Sequence, residues 1–191
     1  MTADAVRAFG GDDWRWLNPP PEWTADDRGL RLVAGPGTDF WRGTHYGYER
    51  DDGHVLGRPL RGDFRMTVTV SGDYRDRYDQ AGLMVRIDER NWIKAGIELD
   101  GRLLLSTVVT RENSDWSVLP LPEAANTPVT LELERSGDTV MVRYRTGSAP
   151  ATMVRLAYLP PDQEVLVGPM SAAPDGSGFE ARFTALRFAQ A

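Results

Sequence analysis

Val129-Thr130-Leu131-Glu132-Leu133-Glu134-Arg135, Ser136-Gly137-Asp138, then Thr139-Val140-Met141-Val142-Arg143-Tyr144-Arg145 is the stretch from which the fold is read. Val129, Leu131 and Leu133 alternate with Thr130, Glu132 and Glu134. After the turn residues, Val140, Val142 and Tyr144 alternate with Met141, Arg143 and Arg145. A period of two puts successive side chains on opposite faces of an extended strand. Two such runs around a Ser-Gly-Asp turn predict a β-hairpin with one wet face.

The same alternation appears upstream, where Phe64, Met66, Val68 and Val70 interleave with Arg65, Thr67, Thr69 and Ser71. Further strands are expected at 28–34, 80–88, 92–99, 102–110, 151–158, 165–170 and 178–188, divided by turns such as Asp51-Asp52-Gly53 and Asp100-Gly101. No helical period persists beyond about two turns, and one turn at most fits residues 160–164. Strands this frequent indicate an all-β, antiparallel sandwich or barrel. No repeat, low-complexity tract or composition break marks a linker, so residues 1–191 are expected to form a single domain.

Composition narrows the partners. The formal net charge is −6, with acidic and basic residues intermingled, which argues against nucleic acid. Cysteine is absent, excluding disulfides and thiolate metal sites. No stretch is apolar enough to span a membrane, and residues 1–11 lack the apolar run of a signal peptide, so the expected location is the cytoplasm. No cofactor or phosphate-loop motif occurs. His45 and His54 lack metal-ligand spacing, and the acidic turns lack calcium-loop spacing. Of 22 basic residues a single one is lysine, Lys94. A compact ammonium kept against such an arginine bias marks either a position where a planar guanidinium does not serve or an accident of composition.

The unusual side chains gather between residues 78 and 117. In Trp92-Ile93-Lys94-Ala95-Gly96-Ile97-Glu98-Leu99, one face carries Ile93, Ala95, Ile97 and Leu99, and the other Trp92, Lys94, Gly96 and Glu98. The second set reads as the floor of a polar groove, with Gly96 leaving room for close approach. Lys94 and Glu98 lie about 13 Å apart along a strand at roughly 3.3 Å per residue, so they cannot pair with each other. Each meets a ligand or a cross-strand partner, for instance Lys94 with Asp79. Tyr78, Asp79 and Gln80 open the preceding strand, while Arg111 leads into a loop at 112–115 that holds Asp115 and ends at Trp116. Trp116 and Trp41 offer flat faces for stacking on a sugar ring, or cap the core. The candidate ligand-binding set is therefore Trp41, Tyr78, Asp79, Gln80, Trp92, Lys94, Glu98, Arg111, Asp115 and Trp116; no residue is assigned a catalytic or metal-binding role.

These blocks, with Asn18-Pro19-Pro20, Thr38-Asp39-Phe40-Trp41, Val108-Val109-Thr110-Arg111, Val167-Gly168-Pro169 and Gly178-Phe179-Glu180, resemble the domain-of-unknown-function family known as "regulation of enolase, concanavalin A-like". The resemblance spans roughly residues 14–188. It implies a concanavalin A-like two-sheet jelly roll, whose concave face binds glycans in lectins and glucanases of that superfold. It carries over no catalytic residues, and fold kinship does not transfer function.

Three function classes follow. A groove of Trp, Gln, Asp, Lys and Glu suits non-catalytic binding of a carbohydrate or small polar ligand. The family's name suggests a regulatory module that contacts a metabolic enzyme. Glycoside hydrolysis needs two carboxyl groups about 5–5.5 Å apart for retention. Glu98-Leu99-Asp100 begins the glucanase pattern, but Leu103 stands where its second glutamate belongs, leaving Asp79 or Asp115 as the partner for Glu98. Proton abstraction by Lys94 with Tyr78 is the one lyase arrangement to consider.

Overall fold

The computed structural model describes residues 13–190. Its strands are β1 (Arg15–Leu17), β2 (Glu22–Asp26), β3 (Gly29–Val33), β4 (Phe40–Arg42), β5 (Glu49–Asp51), β6 (His54–Leu60), β7 (Phe64–Gly72) and β8 (Gln80–Asp88). They continue as β9 (Asn91–Leu99), β10 (Leu103–Arg111), β11 (Asn113–Pro120), β12 (Val129–Ser136), β13 (Thr139–Thr146), β14 (Thr152–Tyr158), β15 (Val165–Ala172) and β16 (Glu180–Gln190). Two seven-stranded antiparallel sheets result, ordered β1-β6-β15-β8-β9-β10-β11 and β14-β13-β12-β7-β16-β3-β2, and β4 pairs with β5 as a separate hairpin.

Alternation places the core. Leu83, Val85, Ile93, Ala95, Ile97 and Leu105 of the first sheet meet Met66, Val68, Val70, Leu131, Leu133, Val140, Val142 and Phe183 of the second, all buried. Each such side chain contributes roughly 1.5–3 kcal/mol relative to exposure. The second sheet keeps one wet face, as the alternating burial of β7 and β12 shows. The first sheet does not. From Trp92 to Glu98 every residue of β9 is buried, because the β4–β5 hairpin lies over its outer face.

Beneath the hairpin is a second apolar cluster of Phe40, Trp41, Val55, Met84, Trp92, Val108 and Met170. Polar anchors hold the hairpin in place. Arg86 grips Asp51 with both guanidinium nitrogens, at 2.6 and 2.8 Å. Asn18 Nδ2 donates to the Asp51 and Gly53 carbonyls at 2.7 and 2.9 Å, and the Arg42 amide donates to Ser114 Oγ at 3.0 Å. A half-buried bidentate pair of this kind adds orientation as well as energy.

Several expectations are corrected. The loop at 112–115 is the start of β11: Arg111 pairs directly with Asn113, and Glu112 alone turns the chain at φ 62°. The helical turn at 160–164 does not form, because buried Arg135 draws the carbonyls of Pro160, Pro161 and Gln163 onto its guanidinium. Among the described residues a 3-10 turn occurs instead at Pro122–Ala125. Strand β6 contains Gly57 and Pro59, and its neighbour β1 reaches only as far as Gly57, so proline sits where one edge is unpaired. Among the described residues no helix is long and apolar enough to cross a membrane. Residues 1–11, read above for a signal peptide, lie outside the described residues.

Candidate functional site

The hairpin leaves part of the first sheet's outer face uncovered, near the start of β8 and the end of β9. There the chain enters β8 through Tyr78, which is held at φ 67°. For a bulky residue the left-handed region costs on the order of 1–2 kcal/mol. The Tyr78 amide donates to the Leu99 carbonyl at 2.6 Å, which fixes the turn. Asp79 locks the loop from inside, accepting the Arg75 and Asp76 amides on Oδ2, both at 2.9 Å. Burial pushes its carboxyl above the usual range, against the pull of those two bonds.

Four polar groups, Asp39, Gln80, Lys94 and Glu98, form the floor. Lys94 Nζ donates to the Phe40 carbonyl at 2.8 Å and to Gln80 Oε1 at 2.6 Å, and stands 3.5 Å from Asp39 Oδ1. Gln80 Nε2 donates onward to Asp39 Oδ1 at 3.3 Å and the Tyr78 carbonyl at 3.2 Å. With 5% of its surface exposed, Lys94 thus ties β4, β8 and β9 together. Glu98, 6% exposed, has no ion-pair partner within 4 Å among the described residues. Burial raises its carboxyl pKa; Lys94 and the Ser106 hydroxyl oppose that, and Asp39 and Asp100 add to it.

Five aromatic residues form the walls. The Tyr46 ring lies 5.4 Å from Trp41 and 6.4 Å from Tyr78, edge to face, and stacks on Tyr48 at 5.7 Å. Tyr78 meets Trp116 edge to face at 6.2 Å. The Tyr46 and Tyr78 hydroxyls share a hydrogen bond of 2.9 Å. Tyr48 is pushed up to about 12 by burial and by Asp39, whose Oδ2 it approaches at 3.4 Å. The indole nitrogens are already engaged, Trp41 with the Thr44 carbonyl and Trp116 with Ser106 Oγ. The atom-free space is about 300 Å3 including its open mouth, but only about 20 Å3 seats the centre of a water molecule. The site is a narrow slot between aromatic rings.

Of the nominated residues, Trp41, Tyr78, Gln80, Lys94, Glu98 and Trp116 line this slot. Trp92 is fully buried below it, donating to the Glu89 carbonyl. Asp79 is fully buried and faces its own loop, so it neither pairs with Lys94 nor opposes Glu98. Arg111 and Asp115 fall on the other face of the sheet. Register pairs Trp116 with Val108 on the slot side, and Asp115 with Val109 on the inter-sheet side. Arg111 donates instead to the Tyr158 carbonyl. The space at Gly96 is taken by protein: a methyl there would strike the Ala81 carbonyl and Gly82 of β8. Asp39, Tyr46 and Tyr48 also line the slot and escaped the sequence reading. They sit on or beside a hairpin too short to show a period. The one available signal was Gly43-Thr44-His45-Tyr46-Gly47-Tyr48, aromatics between glycines, which adopts positive φ at Gly43, His45 and Gly47.

Among the described residues no group of His, Asp or Glu converges to hold a metal ion. A family model described as a protein of unknown function (DUF1349) matches residues 16–191. The chain belongs to this family. The DUF1349 chain is 40% identical over 172 residues to "Regulation of enolase protein 1" of Saccharomyces cerevisiae, covering 88% of this chain and 85% of the yeast protein. The crystal structure of a functionally unknown protein from Saccharomyces cerevisiae is similar at a TM-score of 0.88 and 36% identity, over 94% of this chain and 97% of that one. The carbohydrate binding module CBM66 from Bacillus subtilis shares the fold at a TM-score of 0.61 and 14% identity, over 93% and 96% of the two chains. The DUF1349 fold is thus the concanavalin A-like, two-sheet antiparallel jelly roll that the sequence resemblance implied.

Proposed function

We propose that this DUF1349 chain acts as one domain that binds a carbohydrate or small polar ligand, without catalysis, in the slot between the β4–β5 hairpin and strands β8–β11. The observation that carries this reading is the aromatic ring of Trp41, Tyr46, Tyr48, Tyr78 and Trp116 around the polar floor of Asp39, Gln80, Lys94 and Glu98. The slot as it stands seats little more than a water molecule, so a pyranose enters only as the hydrogen-bonded Tyr46 and Tyr78 side chains part; flat rings then cover its apolar face, and the floor meets its hydroxyls. Catalysis draws less support. Neither carboxylate nominated to work with Glu98 faces it across the slot, the Lys94 ammonium is engaged, and burial raises the Tyr78 pKa, holding the phenol in its protonated form.

A thermal-shift screen against mono- and oligosaccharides tests the reading. A ligand at about 100 times its Kd stabilises the folded state by roughly 2.7 kcal/mol. Trp116→Ala removes one stacking wall at an edge strand and is expected to weaken binding about tenfold with little change in the unliganded Tm. Binding that survives Trp116→Ala unchanged places the ligand elsewhere.

A second reading has its own observation. The edge strands β11 and β14 leave Val118, Leu119, Met153, Leu156 and Tyr158 exposed along one open side of the sandwich. Unpaired edges with apolar side chains are unusual unless something covers them. Together with the yeast relative's name, this supports a regulatory contact with a metabolic enzyme. Sedimentation of the chain mixed with purified enolase is expected to show a complex that Leu156→Lys abolishes; independent sedimentation of the two proteins rejects the reading.

A further inference from the structure

We infer that the slot is built for an uncharged polyhydroxylated ring and rejects the anionic counterparts of the same ring, such as uronates and sugar phosphates. This inference rests on the ligand-binding reading above and names the ligand class of that site. It follows from a census of charge and hydrogen-bonding capacity.

Among the described residues Lys94 is the one cationic side chain lining the slot. Its ammonium donates to the Phe40 carbonyl and Gln80 Oε1, and its charge is met by Asp39 at 3.5 Å. No cationic donor is left for a phosphate or carboxylate. The nearby Arg77 lies outside, stacked over the Tyr78 ring at 4.5 Å and bound to Asp100 at 2.8 Å. Against that single, engaged cation stand two carboxyl groups, Asp39 and Glu98. An entering anion would have to lose its hydration beside them and find no charge to replace it.

What the slot leaves open suits hydroxyl groups. Asp39 Oδ2 has only the long contact from Tyr48, and the Tyr46 and Tyr78 hydroxyls, bonded to each other, keep further capacity. Glu98 completes the set. The charged and titratable groups facing it from all sides are Lys94 on its own strand, Asp39 before β4, Asp100 after β9, and Tyr46, Tyr48 and Tyr78 from the two loops. One cation among these carboxylates, with burial added, favours the protonated acid, which donates as well as accepts. A sugar hydroxyl does the same, so the two match.

The test measures binding of D-glucose, D-xylose, D-glucuronate and glucose 6-phosphate to the wild-type chain, Glu98→Gln and Trp116→Ala, over a pH series that starts at the ordinary carboxylate range and rises through neutrality. The neutral sugars are expected to bind at least about tenfold more tightly than the two anions. Their affinity for the wild type falls as Glu98 ionises, by up to about tenfold per pH unit, while Glu98→Gln keeps the acid's shape and shows no such fall. Glucuronate or glucose 6-phosphate binding as tightly as glucose, in a manner that Trp116→Ala abolishes, overturns the charge selectivity and leaves the ligand-binding reading standing. No binding of any of the four to the wild type overturns both. The unliganded Tm of Glu98→Gln reports whether it folds; if it does not, the wild-type comparison of glucose with glucuronate decides alone.

Discussion

Lys94 shows how much a single side chain can be asked to do. Its position on the polar face of β9 was evident from alternation, and its rarity in an arginine-rich chain marked it out. The structure gives the physical reason. Its ammonium fits between the Phe40 carbonyl, Gln80 and Asp39, three acceptors arranged around a point, which the flat fork of a guanidinium does not match. The sequence-based pairing with Asp79 failed because Asp79 is claimed by the amides of its own loop. Lys94→Ala leaves the Asp39 carboxylate buried without its cation and is expected to destabilise the fold by about 3–5 kcal/mol. Asp39→Asn with Lys94→Met removes both charges, so the double variant should lose less than the sum of the single losses. Urea unfolding of the three variants checks this; additive losses would mean that the pair is not coupled.

At the scale of elements, long strands were legible and short ones were not. Strand β8 was placed residue for residue at Gln80–Asp88, and β7, β9, β10, β12 and β13 to within a few residues, because eight- or nine-residue runs, alternating or apolar and bounded by turn signals, outweigh local irregularity. Strands β4 and β5 have three residues each, and their burial follows from what they cover and not from a period. Half of the slot depends on them. Tyr46 and Tyr48 are carried by their connecting loop and Asp39 by the segment before β4, so a reading centred on β9 found the floor and missed the lid. Arg111 and Asp115 were misplaced for a related reason. Treating 112–115 as a loop hid the two-residue alternation that sends Trp116 to one face and Asp115 to the other. A one-residue change in register reverses every side chain, and the tight turn at Glu112 decides it.

For the molecule as a whole, buried titratable groups set opposite limits on stability, His54 on one side and Glu98 with Asp79 on the other. His54 bridges two connections of the sandwich: Nδ1 contacts the Asn18 carbonyl at 2.7 Å, and Nε2 accepts the Gly35 amide at 2.9 Å. The acceptor role of Nε2 assigns the proton to Nδ1, the neutral ring. Burial lowers its pKa below 6.5, so between its folded value and 6.5 the unfolded chain binds more protons. Stability from His54 is therefore complete above pH 6.5 and is lost as the pH falls through that window. Glu98 has the reverse sign: its raised pKa means the folded chain holds a proton that the unfolded chain has released, so stability declines as the pH rises above 4.5 towards the folded value. Glu134 and Glu180, held below the usual range by hydrogen bonds from Arg143 and Arg31, lose their contribution only when the pH falls below 4.5. Acidification from neutrality should thus lower the Tm in two steps, the His54 step coming first. His54→Asn cannot charge and is expected to abolish the first step while keeping the second; Glu98→Gln should keep both and reduce the loss on the alkaline side, leaving the share that belongs to Asp79. Thermal melts of the three proteins across the acid and neutral range decide the matter. A first step that persists in His54→Asn would assign it to another group and leave the histidine bridge without a role in the acid response.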